Sequence, residues 1–252
     1  MSMPSTHNTL DAVDAYDRIA PSFGGIRAAR QAYCDGIDRL IMESLPTGAR
    51  SLLDVGCGDG TRARAIAEYC GLTDVVLLEP SSGMRKLIAP GKSVWSSRIE
   101  DVDRCDRKFD VITCLWNVLG HLPSRARRLL ALQNMRSLLA PRGAIFLDVH
   151  HRYNASEYGV FKTAARFAFD ALRPSPSNGD VTVRWTAAGE TISTTGHFFT
   201  QKEMLALFRD ADLTVQQMHV VDYATGHLRP SVFSGNLLFV TTASLSPTSS
   251  EG

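Results

Sequence analysis

The stretch Leu53-Asp54-Val55-Gly56-Cys57-Gly58-Asp59-Gly60 restricts this chain more than any other. It closes a short apolar run, SLLDV, and precedes TRARAIAEYC, whose apolar residues recur at helical spacing. Glycines alternating through a strand-to-helix junction supply a tight turn that often needs positive φ, and they let a ligand approach the main chain. The strand and helix pattern repeats downstream. DVVLLEP reads as a buried strand, SSGMRKLIA as a short helix, SVWSS and FDVITCLW as strands, SRARRLLALQNMRSLLA as a helix and AIFLDVH as a strand after the APRG turn. Such alternation requires crossover connections, and so predicts an α/β fold with a mostly parallel sheet covered on both faces.

The flanks read differently. Residues 11–48 are expected to form a helical N-terminal arm, broken at PSFGG. Residues 151–199 read as an insertion, with a helical KTAARFAFDAL followed by a hairpin of VTVRWTA and ETISTTGHFF. TQKEMLALFRDADL opens with the capping-box spacing Thr200 to Glu203, and TVQQMHVVDY and NLLFVTTA are expected as antiparallel neighbours. The polar ends, 1–10 and 244–252, are expected to be loose tails around a single domain of residues 11–243.

The glycine spacing narrows the ligand. A dinucleotide fingerprint would read GxGxxG, whereas this loop is GxGxG with Thr61 where the last glycine would fall, which disfavours a nicotinamide oxidoreductase. Glu79 ends the second strand, placed for its carboxylate to accept two ribose hydroxyls.

Taken with LLDVGCGDG (52–60), the Glu79-Pro80-Ser81 strand end, RIED (98–101), FDVITCLWNVLGHL (109–122), LAPRGAIFLDV (139–149) and FTQKEMLALFRDADLTV (199–215), the chain resembles the class I S-adenosylmethionine-dependent methyltransferases of small-molecule type, with a glycine N-methyltransferase-like core. The resemblance implies a Rossmann-like sheet of seven strands, the seventh antiparallel. It implies S-adenosylmethionine as cofactor, with S-adenosylhomocysteine as product. Gly56, Cys57 and Gly58 would then approach the methionine and ribose portions, Asp54 would orient the loop, and Glu79 with Pro80 would hold the ribose diol. Met84 would pack on the adenine, Ile99 and Glu100 would read its edge, and Leu115 or Trp116 would line the pocket. Arg30 or Arg27 would meet the cofactor carboxylate.

The acceptor side is expected at the carboxyl ends of the fourth and fifth strands and under the arm. Tyr16, Asn117 and His121 are candidate acceptor-binding residues, and His150, His151, Tyr153 and His197 are candidates to position the acceptor or take its proton. Successive strand residues point to opposite faces, so His150 and His151 are not both expected to face the methyl group unless the strand has ended before them, and one should be structural.

Composition limits the alternatives. With 27 Lys+Arg against 26 Asp+Glu, no bulk field draws the chain to nucleic acid or an anionic membrane. Arg125, Arg127, Arg128 and Arg136 nonetheless form an acid-free run, so an RNA methyltransferase is a second hypothesis. A cofactor-binding protein without turnover is a third. Five cysteines without a CxxC pair point away from a disulfide framework or zinc knuckle, no HExxH supports a metal, and no leader or membrane span is read at the N-terminus. A cytoplasmic monomer or homodimer acting on a small molecule is the expectation.

Overall fold

A computed structural model describes residues 9–102, 106–187 and 189–244. Seven strands form one sheet: β1 (Ser51–Val55), β2 (Asp74–Leu78), β3 (Ser93–Trp95), β4 (Phe109–Cys114), β5 (Leu139–Val149), β8 (Leu213–Val221) and β9 (Asn236–Ala243). The remaining two, β6 (Asp180–Ala187) and β7 (Glu190–His197), make a separate antiparallel hairpin. The sheet order is β3-β2-β1-β4-β5-β9-β8, parallel through β5, with β9 antiparallel to both its neighbours. The last strand thus runs against the rest, as expected. β5 starts earlier than expected. Leu139 already faces Phe109, and the register then jumps to Val111 opposite Ala144, which absorbs the Pro141 turn as a bulge.

Alternation along the strands sorts the core into two layers. Leu53, Val55, Ile112, Ile145 and Leu147 pack with Leu132, Met135 and Leu138 of α6 (Arg125–Leu138) and Met204, Leu207 and Phe208 of α9 (Gln201–Asp210). Leu52, Val111, Ala144 and Phe146 face the other way, onto Tyr33, Ile37 and Ile41 of α3 (Gln31–Glu43) and Ala63 and Ile66 of α4 (Thr61–Cys70). Both faces are therefore dry, which is why these strands read as continuous apolar runs. The Thr200 hydroxyl accepts from Glu203 N at 3.1 Å and caps α9, but the Glu203 carboxylate turns away to His197, so only half of the capping box forms.

The arm departs from expectation at PSFGG. α1 (Ala12–Ile19) runs through a 3-10 turn at Ala20–Ser22 straight into α2 (Phe23–Ala28). Pro21 sits at the start of that turn, where a missing N–H costs nothing, and Phe23 is buried against Met84. Leu10 also leaves the expected tail: its N–H donates to Ser193 O at 2.9 Å, and its carbonyl accepts from the Thr194 hydroxyl. Ser244 N likewise donates to Asp212 O at 2.9 Å, while 1–8 and 245–252 of the expected tails lie outside the described residues. Arm and hairpin are thus stitched into one roof over the carboxyl ends of β1, β4 and β5.

In the insertion, α7 (Ala155–Tyr158) leads into α8 (Val160–Leu172), whose polar side faces inward. Asp170 accepts from Arg152 Nε and Nη2 and from the Tyr153 hydroxyl, and Arg166 lies over the Tyr158 ring. Phe161 and Leu172 consequently point to solvent, 92% and 83% exposed.

Candidate functional site

The loop after β1 carries three left-handed glycines in alternation, Gly56, Gly58 and Gly60, with φ of 68°, 61° and 71°. At Gly58 a Cβ would also lie 3.0 Å from Phe23 Cζ, so both backbone and space demand glycine there. Gly58 N donates to Glu79 Oε2 at 2.9 Å, and Ser81 N to Oε1 at 2.8 Å. Burial pushes the Glu79 carboxyl up to about 7, against these two hydrogen bonds. Asp54 accepts from Thr113 Oγ1 at 2.7 Å, and burial raises it to about 6. The N-terminal arm is held to the same corner by Asp17, whose carboxylate accepts from Ser81 Oγ at 2.5 Å and Gly83 N at 2.7 Å.

Of these residues, Phe23, Asp54, Gly56, Gly58 and Glu79 line a cleft of about 1000 Å³, the solvent at its mouth included, that also takes in Cys57, Pro80, Ile99, Glu100, Leu115 and Trp116. Three buried polar atoms of its lining residues lack a hydrogen-bond partner among the described residues: Glu100 Oε2, His121 Nδ1 and Arg27 Nε, the last 3.5 Å from Asp59 without bonding geometry. Orphans that face a cleft leave hydrogen-bonding capacity that a ligand or water can complete. Burial raises the Glu100 carboxyl too. Of the two arginines expected near a cofactor carboxylate, Arg27 lines this cleft and Arg30, three residues on, does not. Met84 is fully buried one layer behind the wall, against Phe23, because α5 (Ser82–Arg85) turns it inward.

Trp116 and Asn117 follow β4 with φ of 61° each, a conformation that costs non-glycine residues about 1–2 kcal/mol. Buried Asp148 holds them there. Its carboxylate accepts from Trp116 N and, at 2.6 Å, from the Tyr33 hydroxyl, while its carbonyl accepts from Asn117 N. The strained turn leaves Trp116 between two spaces, the cleft and a second chamber of about 1360 Å³ counted with the solvent at its mouth, which share Tyr16, Phe23, Trp116 and His121.

The second chamber lies under the roof, with Arg30, His150, Trp185, Phe198 and Tyr223 in its wall. Tyr16 OH is 3.2 Å from His121 Nε2, and burial lowers that histidine to about 4. Asn117 Oδ1 accepts from His150 N at 3.1 Å, and its Nδ2 donates to His197 O at 3.3 Å. A Cβ at Gly120 would collide with this amide, which explains the glycine in NVLGH. His150 packs against Phe198 and Tyr223, its Nε2 buried without a partner among the described residues, and burial lowers it to about 3.

Besides Met84, three candidates from the sequence line neither space. β5 ends at Val149, so strand alternation does not dictate the two histidines, yet His151 still turns away from the chamber, against Tyr153 and Phe233, while His150 faces it. Tyr153 spends its hydroxyl on Asp170 at 2.7 Å. His197 is fully buried, its Nδ1 2.6 Å from Asp180 and its Nε2 2.9 Å from Glu203, and braces the hairpin to α9. Conversely, sequence reasoning passes over Phe23, Asp148, Trp185, Phe198 and Tyr223. Of these, Asp148 alone carries a signal, as a carboxylate in an otherwise apolar strand.

The arginine run is dispersed. Arg125 pairs with Asp210, Arg127 with Asp101 at 2.7 Å, Arg128 is buried beside Phe199, and Arg136 Nε donates to Asp212 O. Among the described residues, no three His, Cys, Asp or Glu side chains converge to hold a metal ion.

Residues 26–218 match the family model described as Methyltransferase domain. The chain belongs to the S-adenosylmethionine-dependent methyltransferase family. It is 27% identical over 139 residues to a ubiquinone biosynthesis O-methyltransferase of Coxiella burnetii, covering 53% of this chain and 57% of that one. It is 29% identical over 103 residues to the dTDP-3-amino-3,6-dideoxy-alpha-D-glucopyranose N,N-dimethyltransferase of Streptomyces fradiae, over 40% and 39% of the two chains. These matches span little more than half, or less, of the relatives' lengths. In fold, it is similar to the CcbJ methyltransferase of Streptomyces caelestis, with a TM-score of 0.65 at 16% identity over 84% of this chain and 90% of that one. The fold with its seven-stranded sheet and antiparallel last strand is what this chain shares with that structure.

Proposed function

We propose that this protein transfers a methyl group from S-adenosylmethionine to a small molecule held in the chamber beyond Trp116, releasing S-adenosylhomocysteine. The observation that carries this reading is the pair of spaces sharing Tyr16, Phe23, Trp116 and His121, one lined by the glycine loop and Glu79 and the other by the roof. When bound, the cofactor supplies an electrophilic methyl on a sulfonium. The chain's part is alignment and exclusion of water, because an in-line displacement gains most from holding its two reactants in register.

In this reading the Glu79 carboxylate, oriented by Gly58 N and Ser81 N, accepts the ribose hydroxyls. Arg27, whose Nε lies 3.5 Å from Asp59 without a hydrogen bond, meets the methionine carboxylate, and Ile99 and Glu100 meet the adenine edge. Tyr16, His121, Asn117 and His150 form the acceptor side. The two histidines are neutral and so able to accept a hydrogen bond from the acceptor. The roof made by the arm and hairpin favours a small acceptor over a folded macromolecule. One relative is named for O-methylation and another for N,N-dimethylation, and both acceptor atoms stay within this proposal. The dispersal of Arg125, Arg127, Arg128 and Arg136 among separate partners speaks against RNA as substrate. No described helix is long and apolar enough to cross a membrane.

Calorimetric titration with S-adenosylmethionine, S-adenosylhomocysteine and NADH tests the reading, with Glu79→Ala and Arg27→Met alongside. The first two ligands should bind and weaken in both variants. Binding of NADH alone, or of none of the three, would overturn the proposal. Cofactor binding without turnover across an acceptor screen would favour the non-catalytic alternative.

A further inference from the structure

The chemistry of the second chamber's wall restricts what it can receive. Among the described residues, its lining contains no aspartate or glutamate, yet includes Arg30 and Arg184. Arg30 lies with its guanidinium 4.3 Å above the Tyr223 ring, and its one ion pair among the described residues is loose, 3.9 Å to Glu157, with both side chains about one-third exposed. The neighbouring buried carboxylates are committed elsewhere, Asp148 to Trp116 N and Tyr33 OH, and Glu79 to Gly58 N and Ser81 N. His150 Nε2 is buried without a partner among the described residues. The rest of the wall offers flat faces: Trp185, Phe198 and Tyr223.

An ammonium group entering this space would gain contact with ring faces, which attract cations, but it would meet two guanidinium groups and no lining carboxylate to offset its lost hydration and their repulsion. An oxyanion meets the reverse situation. It finds in Arg30 a planar donor set that matches carboxylate and phosphate geometry, already positioned over an aromatic ring that limits its rotamers. The geometry points to an acceptor that is a small flat molecule bearing a carboxylate or phosphate, received by Arg30 with Arg184 at the rim, and presenting a polar group to His150 Nε2. This assignment rests on the proposed function for which of the two spaces holds the acceptor. It also divides labour between two arginines three residues apart, Arg27 facing the cleft and Arg30 facing the acceptor.

The test uses the full chain saturated with S-adenosylhomocysteine, with binding followed by calorimetry and by the fluorescence of Trp116 and Trp185, which both line the chamber. The probes are 4-hydroxybenzoate, phenyl phosphate, benzyl alcohol and 4-hydroxybenzylamine. The two anions should quench and bind at least about tenfold more tightly than the amine, with affinity falling as salt is raised. Their relative strength separates a carboxylate from a phosphate acceptor. Arg30→Gln should lower anion affinity by about tenfold while leaving S-adenosylhomocysteine binding unchanged, and Arg30→Lys should restore part of the loss. Arg30 sits at the partly exposed N-cap of α3, so both variants are expected to fold, with the melting temperature as the check. Equal or tighter amine binding, an Arg30→Gln variant with unaltered anion preference, or failure of both anions at millimolar concentration would each overturn the inference. If S-adenosylhomocysteine itself does not bind, the proposed function falls, and the same probe ranking on the free protein still judges the chamber.

Discussion

Replacing Glu79 by glutamine isolates the energetics of the cofactor corner. In the wild type, burial raises the carboxyl from an ordinary value to about 7, although two backbone N–H groups favour the ionised form. A carboxylate whose folded pKa lies above its unfolded value binds more protons in the native state, so its contribution to stability is largest below the unfolded pKa and is lost as pH rises through the folded one. Taking an unfolded value of about 4.3, this loss amounts to about 2 kcal/mol between about pH 5.5 and about pH 8.5. The amide of the Glu79→Gln variant cannot titrate. It turns its NH2 toward one of the two N–H groups, where even the hydroxyl oxygen of a protonated carboxyl can accept, and this unmet donor costs about 1–3 kcal/mol. The variant should therefore be less stable than wild type at the acid end, with the gap narrowing by about 2 kcal/mol at the alkaline end. Urea unfolding of the ligand-free proteins at the two pH values measures it. Asp54, raised to about 6, titrates in both proteins and largely cancels in the difference. Stability curves that run parallel from acid to alkaline pH would refute the reasoning, since Glu79 would then be an ordinary ionised carboxylate throughout.

Gly58→Ala combines a left-handed φ of 61° with a 3.0 Å approach to Phe23 Cζ, and should cost more than about 1 kcal/mol in urea unfolding while weakening S-adenosylhomocysteine binding in calorimetry. Tyr33→Phe removes the 2.6 Å hydroxyl donor from Asp148, whose carboxyl burial already raises. A loss of about 1–3 kcal/mol is expected, greater at alkaline than at acidic pH because the ionised form is what loses support. Phe161→Ala should leave stability within about 0.5 kcal/mol, whereas Phe146→Ala, equally aromatic but fully buried, should cost about 3–5 kcal/mol in the same unfolding assay.

Much of the cofactor side is legible in the sequence because it is local. Strand, glycine loop, helix and the acid ending β2 lie within 51–79, and the backbone conformation that Gly56, Gly58 and Gly60 permit is a property of the residues themselves. Parallel strands buried on both faces also announce themselves as apolar runs. Period two would separate His150 from His151 only if β5 reached them, and it stops at Val149. Such alternation cannot say which of them faces the chamber, since that depends on where β5 stops and on Asn236, whose side chain accepts from His151 N across the sheet edge.

The acceptor side is hidden because its members come from distant segments. Tyr16, His121 and Trp185 meet from the arm, the end of β4 and the hairpin, and Arg30 meets Tyr223 from the far end of the chain. His197 and Tyr153 look chemically apt, yet their partners, Asp180, Glu203 and Asp170, use them as braces. The succession of strands and helices, the parallel sheet and a loop able to bring a ligand close to the backbone follow from the residues themselves, because propensity, periodicity and φ preference act over a few positions. Which polar side chains are consumed in holding the fold, and which stay unpaired facing a chamber, is settled by three-dimensional packing, because hydrogen-bond satisfaction depends on neighbours brought together by the whole chain.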